Sequence, residues 1–273
     1  MDSVERPNWA PGDIDLARPS IARVYDYWLG GAHNFAVDRV VADKVLADVP
    51  VLRSVILNHR AFLRRAVRYL LSQGIRQFLD LGSGIPTVGN VHEIAQAVDP
   101  TSKIVYVDID PVAVAHSRAI LTGNTLVNVL QADVRDARGV LKAPEVQNLL
   151  DFDRPIAVLM IALLHFVSDE EDPHGIVGAY RDALPPGSHL ALSHAGYEEG
   201  DWDPAWDEAK GVYNRGVSEM TYRRKQDVEA LFEGFRLVEP GVARLPLWRP
   251  ESPDDLDENS SRFLGFGAMG RKV

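Results

Sequence analysis

The sequence predicts an α/β fold, a doubly wound sheet with helices on both faces, and three observations carry that prediction. The first is the stretch Phe78-Leu79-Asp80-Leu81-Gly82-Ser83-Gly84-Ile85-Pro86-Thr87-Val88-Gly89, which opens apolar and turns on two glycines. A helical pattern follows through Val88, Val91, Ile94 and Ala95. A buried strand, a tight turn and a helix N-terminus in that order bring backbone N–H groups up to a ligand. The second observation is a pair of short apolar stretches that each end in an acid, Lys103 to Asp108 and Val127 to Asp133. The third is the longest apolar run, Ile156 to Leu164, too short to span a bilayer. It reads as a central parallel strand buried on both faces.

The remaining elements follow in chain order. Residues 1–17 are polar, carry Pro7, Pro11 and Gly12, and read as a loose arm. Apolar spacing at Ile21, Val24, Tyr25 and Trp28 predicts a helix capped by Ser20 and ended by Gly30-Gly31. Two more helices are expected, from Val37 to Ala47 and from Val51 to Ser72. After the third strand come a short helix at Pro144 to Leu150 and the central strand already described. A helix from His174 to Leu184 is then stopped by Pro185-Pro186-Gly187. The fifth strand is His189 to Ser193, with His194 at its exit. Residues 196–225 hold Trp202, Trp206, Tyr213 and Tyr222 among many acids, either a packing cluster or an acceptor box. A helix at Gln226 to Phe232, a strand at Arg236 to Val238, an acidic loop from Pro250 to Ser261 and a strand at Phe263 to Met269 complete the chain. The expected division is an arm and helical cap over 1–75 and a ligand-binding unit over 76–273, the two forming one compact unit.

Composition narrows the function. The 273 residues are 46% hydrophobic and 25% charged, ordinary for a globular protein. The formal charge of −10 and the lack of a long basic run argue against nucleic acid as partner. Without cysteine there are no disulfides, thiolate nucleophiles or Cys-based metal sites, and no metal is expected. That composition fits a reducing cytoplasm. Met1 to Glu5 is acidic with no apolar core behind it, so neither a signal peptide nor a membrane anchor is expected.

The glycine turn is spaced G-x-G-x-x-T, with Thr87 where a dinucleotide fingerprint places its third glycine. Asp80 beneath it would repel a phosphate and accept from an amino group. The turn therefore suits a nucleoside with a cationic, amino-acid-like arm better than NAD. Asp108 sits at the spacing at which a βαβ acid reaches a ribose hydroxyl pair. Asp110, before Pro111, is the better helix cap.

Through Asp80-Leu81-Gly82-Ser83-Gly84, Val105-Tyr106-Val107-Asp108 and Gln131-Ala132-Asp133-Val134, the chain resembles class I S-adenosylmethionine (SAM)-dependent methyltransferases over roughly Gln77 to Leu192. In that family the glycine turn faces the methionine part, the second strand's acid holds the ribose and the third's faces adenine. The resemblance implies cofactor contacts from Asp80, Gly82, Ser83, Gly84, Asp108, Ile109, Asp133 and Val134, and from Ala162 at the end of strand four. It also implies a seven-stranded Rossmann-like sheet whose last strand is antiparallel. Upstream, Arg18 to Gly31 and Asn34 to Arg39 resemble the N-terminal signature of a SAM-methyltransferase family long catalogued as a domain of unknown function.

Two readings of that signature stay open. Tyr25, Tyr27 and Trp28 either pack a helix onto the sheet or cover the ligand, with Gly30-Gly31, His33 and Asn34 as a hinge. On the second reading Arg23, a helical neighbour of Asp26, and Tyr25 join the cofactor set and the helix closes the pocket. The reaction implied is an in-line displacement on the sulfonium methyl by a small-molecule acceptor. No nucleophilic triad is needed, and His165 or His194 is the candidate base if the acceptor must lose a proton. The rival readings are a non-catalytic SAM-binding or regulatory protein and an NAD-dependent oxidoreductase.

Overall fold

Successive residues of a strand point to opposite faces, so a sheet covered on both sides needs strands that are apolar throughout. The computed structural model describes residues 16–48, 52–86, 89–201, 211, 214, 218–252, 256, 260 and 263–273. Five of its strands run parallel: β1 (Gln77–Leu81), β2 (Lys103–Asp108), β3 (Val127–Gln131), β4 (Ala157–Ile161) and β5 (His189–His194). Leu79, Val105, Val158 and Leu190 enter one core, shared with α6 (Ala137–Lys142), α7 (Pro144–Gln147) and α8 (Pro173–Ala183). Their neighbours Phe78, Ile104, Leu159 and Ala191 enter the other. That second core is completed by Phe62, Leu63, Ala66, Val67 and Leu70 of α3 (Leu52–Ser72) and by Val91 and Ala95 of α4 (Val91–Val98). Helix α3 thus packs directly on the sheet.

The strand order is β3-β2-β1-β4-β5-β10-β8, with β8 at Phe235–Leu237, β10 at Phe266–Lys272 and the short β9 (Ala243–Arg244) beside β10. Seven strands on one path, the last antiparallel to both neighbours, match the expected sheet. The last strand is displaced from its expected place at 263–269. It runs on through Arg271 and Lys272 because backbone pairing with Arg236 and Phe235 of β8 needs no apolar side chain. A second sheet pairs β6 (Gly196–Tyr197) with β7 (Arg223–Arg224), two elements too short to show a sequence pattern. Strand order reverses between β1 and β4, and the crevice beyond the strand ends at such a point is where open α/β sheets bind ligands.

The N-terminal signature folds into α1 (Ile21–Trp28) and α2 (Ala36–Asp48). Val24, Trp28, Ala42, Val45 and Ile56 form a small core of their own. The Arg23–Asp26 pairing that helical spacing allows does not form. Asp26 is buried and accepts from His33 N and Asn34 Nδ2, both at 2.9 Å, which ties off the loop after α1. A Cβ at Gly31 would overlap the Asp26 carboxylate, so the loop needs a glycine there. Arg23 instead donates from Nε to Asp38 Oδ2 at 2.9 Å. Asp38 is fully buried and also accepts from Ser20 N (3.0 Å) and Phe35 N (2.8 Å). Trp28 Nε1 closes the knot on Ala42 O at 3.2 Å. Ser20 holds the position before α1 but its hydroxyl does not cap that helix; it donates to Asp110. Among the described residues no helix is long and apolar enough to cross a membrane. The expected arm lies almost wholly outside the described residues, as do Thr87, Trp202, Trp206 and Tyr213.

Asp38 concentrates the cap's polar bonds. Asp38→Ala leaves a buried guanidinium and two N–H groups without their acceptor. The expected loss is about 3–5 kcal/mol of unfolding free energy, read as a lower urea midpoint at unchanged slope.

Candidate functional site

Where β1 ends, the chain turns on Gly82 and Gly84, both in the left-handed region at φ +68° and +66°. Their N–H groups are drawn toward β2: Gly82 N and Ser83 N donate to Val107 O at 2.8 and 3.1 Å, and Gly84 N donates to Asp108 Oδ2 at 2.7 Å. The two glycines answer to different constraints. A Cβ at Gly82 would strike Leu163 at 2.6 Å, whereas one at Gly84 would enter open space, the room a ligand needs.

Asp108 is buried at the end of β2, and its other oxygen accepts from Asp110 N at 2.9 Å. Burial pushes its carboxyl up to about 6 against the pull of those backbone donors. Asp80, buried beneath the turn, is pushed up to about 7 by the same cause, with Arg60 pulling down and Asp108 pushing up. Asp110 caps α5 (Pro111–Ile120) through Val112 N at 2.7 Å and Ala113 N at 3.3 Å, the role its place before Pro111 predicts. It also takes the Ser20 hydroxyl and lies 4.0 Å from Arg23 Nη1. Asp133 differs from these acids. Arg135 grips both its oxygens at 2.6–3.0 Å and holds its carboxyl below the usual range.

These groups open into one cavity of about 610 Å³ over the C-terminal ends of β1 to β5. Asp80, Gly82, Ser83, Gly84, Asp108, Ile109, Asp133, Val134, Ala162 and His165 all line it. Ile109 is exposed, and Ala162 is a non-glycine residue at φ +53° whose N–H is held by Ser193 Oγ at 2.9 Å. Helix α1 roofs the cavity with Ile21, Tyr25 and Trp28, and the Tyr25 hydroxyl donates to Ile56 O at 3.4 Å. Arg23 is not on the wall; Asp38 and the Arg18 carbonyl occupy its guanidinium.

The two histidines need revision as bases. His194 lies outside the cavity wall and both its ring nitrogens are engaged. Nδ1 meets Ala195 O at 2.6 Å and must donate, so Nε2 accepts from Arg223 at 2.7 Å. Burial lowers its pKa to about 4. His165 lines the cavity, but its Nδ1 accepts from Ala195 N at 3.3 Å. The neutral ring therefore carries its proton on Nε2, a donor rather than a base. Burial and the neighbouring histidines hold its pKa well below the ordinary value.

Sequence reasoning missed His59 and Arg60 on the cavity floor. His59 Nδ1 meets Ser193 Oγ at 2.8 Å, and burial lowers its pKa to about 3. Arg60 reaches Gly89 O at 3.1 Å beside the glycine turn. The signal was present: His59 interrupts an apolar helical face between Ile56 and Leu63. From the segment expected to hold the acceptor, Ser218, Met220 and Tyr222 reach the wall.

The family described as S-adenosyl methyltransferase matches residues 7–273. Two crystal structures align over almost the whole chain. One is a candidate methyltransferase from Thermobifida fusca YX, 42% identical, covering 97% of this chain and 99% of its own, at a TM-score of 0.89. The other is a DUF574 family protein from Streptomyces avermitilis MA-4680, 36% identical, covering 95% and 99%, at a TM-score of 0.88. Human N-acetylserotonin methyltransferase in complex with SAM shares the fold at 16% identity, covering 94% of this chain and 63% of its own, with a TM-score of 0.51. No curated protein matches the sequence.

The buried acids set a pH dependence of stability. Folding raises both carboxyls, so it favours their protonated forms. The stability they contribute is full below the ordinary carboxyl range and lost as pH rises through about 6 for Asp108 and about 7 for Asp80. Asp80→Asn keeps the shape and removes the charge. At about pH 8 it is expected to stabilise the free protein, raising its thermal midpoint by a few degrees, with the gain vanishing near pH 4.

Proposed function

The chain belongs to the S-adenosyl methyltransferase family, and on that premise we propose that it methylates a small molecule held in the cavity beneath its N-terminal cap. It is an enzyme, a SAM-dependent methyltransferase, and SAM is its cofactor. The observation that carries the site assignment is the pair of buried carboxyls, Asp80 and Asp108, beside a glycine turn that leaves open space at Gly84. Bound SAM supplies a methyl group made electrophilic by its sulfonium.

The residues divide the work. Asp108 would accept from the ribose hydroxyls, since each of its oxygens keeps a lone pair beyond the backbone bond it already takes. Asp80 and the Gly82–Gly84 turn would receive the amino-acid arm, whose ammonium favours the ionised carboxylate that burial alone disfavours. Asp133 and Val134 would border the base, with Asp133 already oriented by Arg135. Ile109 and Ala162 would flank the nucleoside from either side. Tyr25 would cover the ligand. Arg23 acts at one remove, as a positioning residue that steadies the Asp38 and Asp110 end of the cap.

Alignment and exclusion of water then account for catalysis without a protein base. We assign His165 the orienting of the acceptor through Nε2–H, and His194 the holding of Arg223. A cytoplasmic location belongs to the same proposal.

Calorimetry with SAM and with NAD tests the cofactor site. SAM is expected to bind and NAD not. Asp108→Ala, with an unchanged circular dichroism spectrum, should weaken SAM at least about tenfold through the lost charge-assisted bonds. Undiminished affinity in that variant removes the ribose assignment.

A further inference from the structure

The charges on the cavity wall are not spread evenly. Asp80, Asp108, Asp110, Asp133 and Arg135 stand at the ends of β1 to β3, and Arg60 leans toward the glycine turn. The other end of the cavity lies between the cap and the exits of β4 and β5. There the wall is Trp28, Val45, Ile56, Phe166, Met220 and Leu264. Phe166 and Met220 pack on the cap's own core, so this apolar wall is continuous with a folded cluster. Among the described residues the polar side chains that join it are hydroxyls and imidazoles, none carrying a full charge near neutral pH, and the nearest cation on the wall is Arg60, one turn along α3 from Ile56 and donating to Gly89 O. Arg223 comes near, but the Leu164 and Val167 carbonyls, His194 and Asp169 take up its guanidinium and it is not on the wall.

A charged acceptor seated there would be desolvated without a counter-charge, at a cost of several kcal/mol. An uncharged one would avoid that cost and gain the burial of its apolar surface, with only its polar atom needing a partner. It would also meet one directed donor. With Nδ1 accepting from Ala195 N, His165 has its remaining ring proton on Nε2, which has no partner among the described residues.

We propose that the acceptor is an uncharged, mainly apolar small molecule of aromatic or comparable bulk, seated between the cap and the β4–β5 exits with one lone-pair atom on His165 Nε2–H. The inference rests on the SAM reading of the adjoining half of the cavity, and its test separates the two.

The probes are naphthol, naphthoate and naphthylmethylammonium, titrated by calorimetry into the full chain saturated with S-adenosylhomocysteine. Naphthol is expected to bind at least about tenfold tighter than either charged analogue. Met220→Glu should abolish naphthol binding while S-adenosylhomocysteine affinity stays within about twofold, and His165→Phe should weaken naphthol by about fivefold or more. A charged probe that binds as tightly as naphthol, or a series in which no probe binds, overturns the inference and leaves the cofactor assignment standing. Failure of S-adenosylhomocysteine itself to bind overturns the cofactor assignment and this inference with it.

Discussion

A carboxylate taken out of water must be given donors or lose its charge, and this fold hangs two of its parts on that requirement at the end of β2. Asp108 is satisfied by Gly84 N and Asp110 N, so the glycine turn and the start of α5 are fixed to one side chain. Asp110 is satisfied by the first N–H groups of α5 and by the Ser20 hydroxyl, with Arg23 alongside. Arg23 in turn neutralises Asp38. A single run of acid, donor and acid therefore connects the strand end to the cap. The cap is positioned by the same groups that shape the nucleoside side of the cavity, and a ligand that draws on Asp108 acts on the anchor of its own roof.

Burial sets the protonation state of Asp80, Asp108, His59 and His165. It pushes those two acids up and the imidazoles down, by the same preference for neutral forms, whereas Arg135 pulls Asp133 the other way. For the acids this is a standing instability, relieved when a cation arrives to share the space. For the histidines it has the opposite consequence. They stay neutral, and each ring is oriented by a backbone or hydroxyl partner. Methyl transfer from a sulfonium tolerates such a site because the leaving group departs as a neutral thioether and needs no proton.

The polar end of the cavity was legible in the sequence because its constraints are local. A glycine turn, an acid at a strand end and an Asp-Pro cap each occupy a few adjacent residues, and the structure puts Asp80 and Asp108 on the cavity wall and Asp110 at the start of α5. Arg23 was misread for the complementary reason. Helical spacing offered it Asp26, but the buried Asp38 on the next helix needed a cation and the loop N–H groups needed Asp26. His194 was misread because its position at a strand exit is visible in sequence while its two partners are not: one is its own neighbour's carbonyl, the other comes from Arg223. His59 left a trace as a polar residue on an apolar face, yet only the packing of α3 along the cavity turns that trace into a site.

The same distinction explains why the sequence names the cofactor and not the acceptor. The family is written in backbone geometry and strand-end acids, which any chain with this sheet can supply from consecutive residues. The rest of the cavity is a wall assembled from α1, α2, α3, the β4 exit and the segment before β7, elements brought together only by the cap's docking. Its chemistry is a property of what those surfaces lack in charge and share in shape. Because one helix, α3, runs from the apolar wall at Ile56 through His59 to Arg60 beside the glycine turn, the two halves cannot shift independently. Within the cap the side chains that face the apolar wall, Trp28 and Val45, are distinct from Ser20 and Arg23, which tie α1 to the end of β2, so the wall can vary while that anchor is kept.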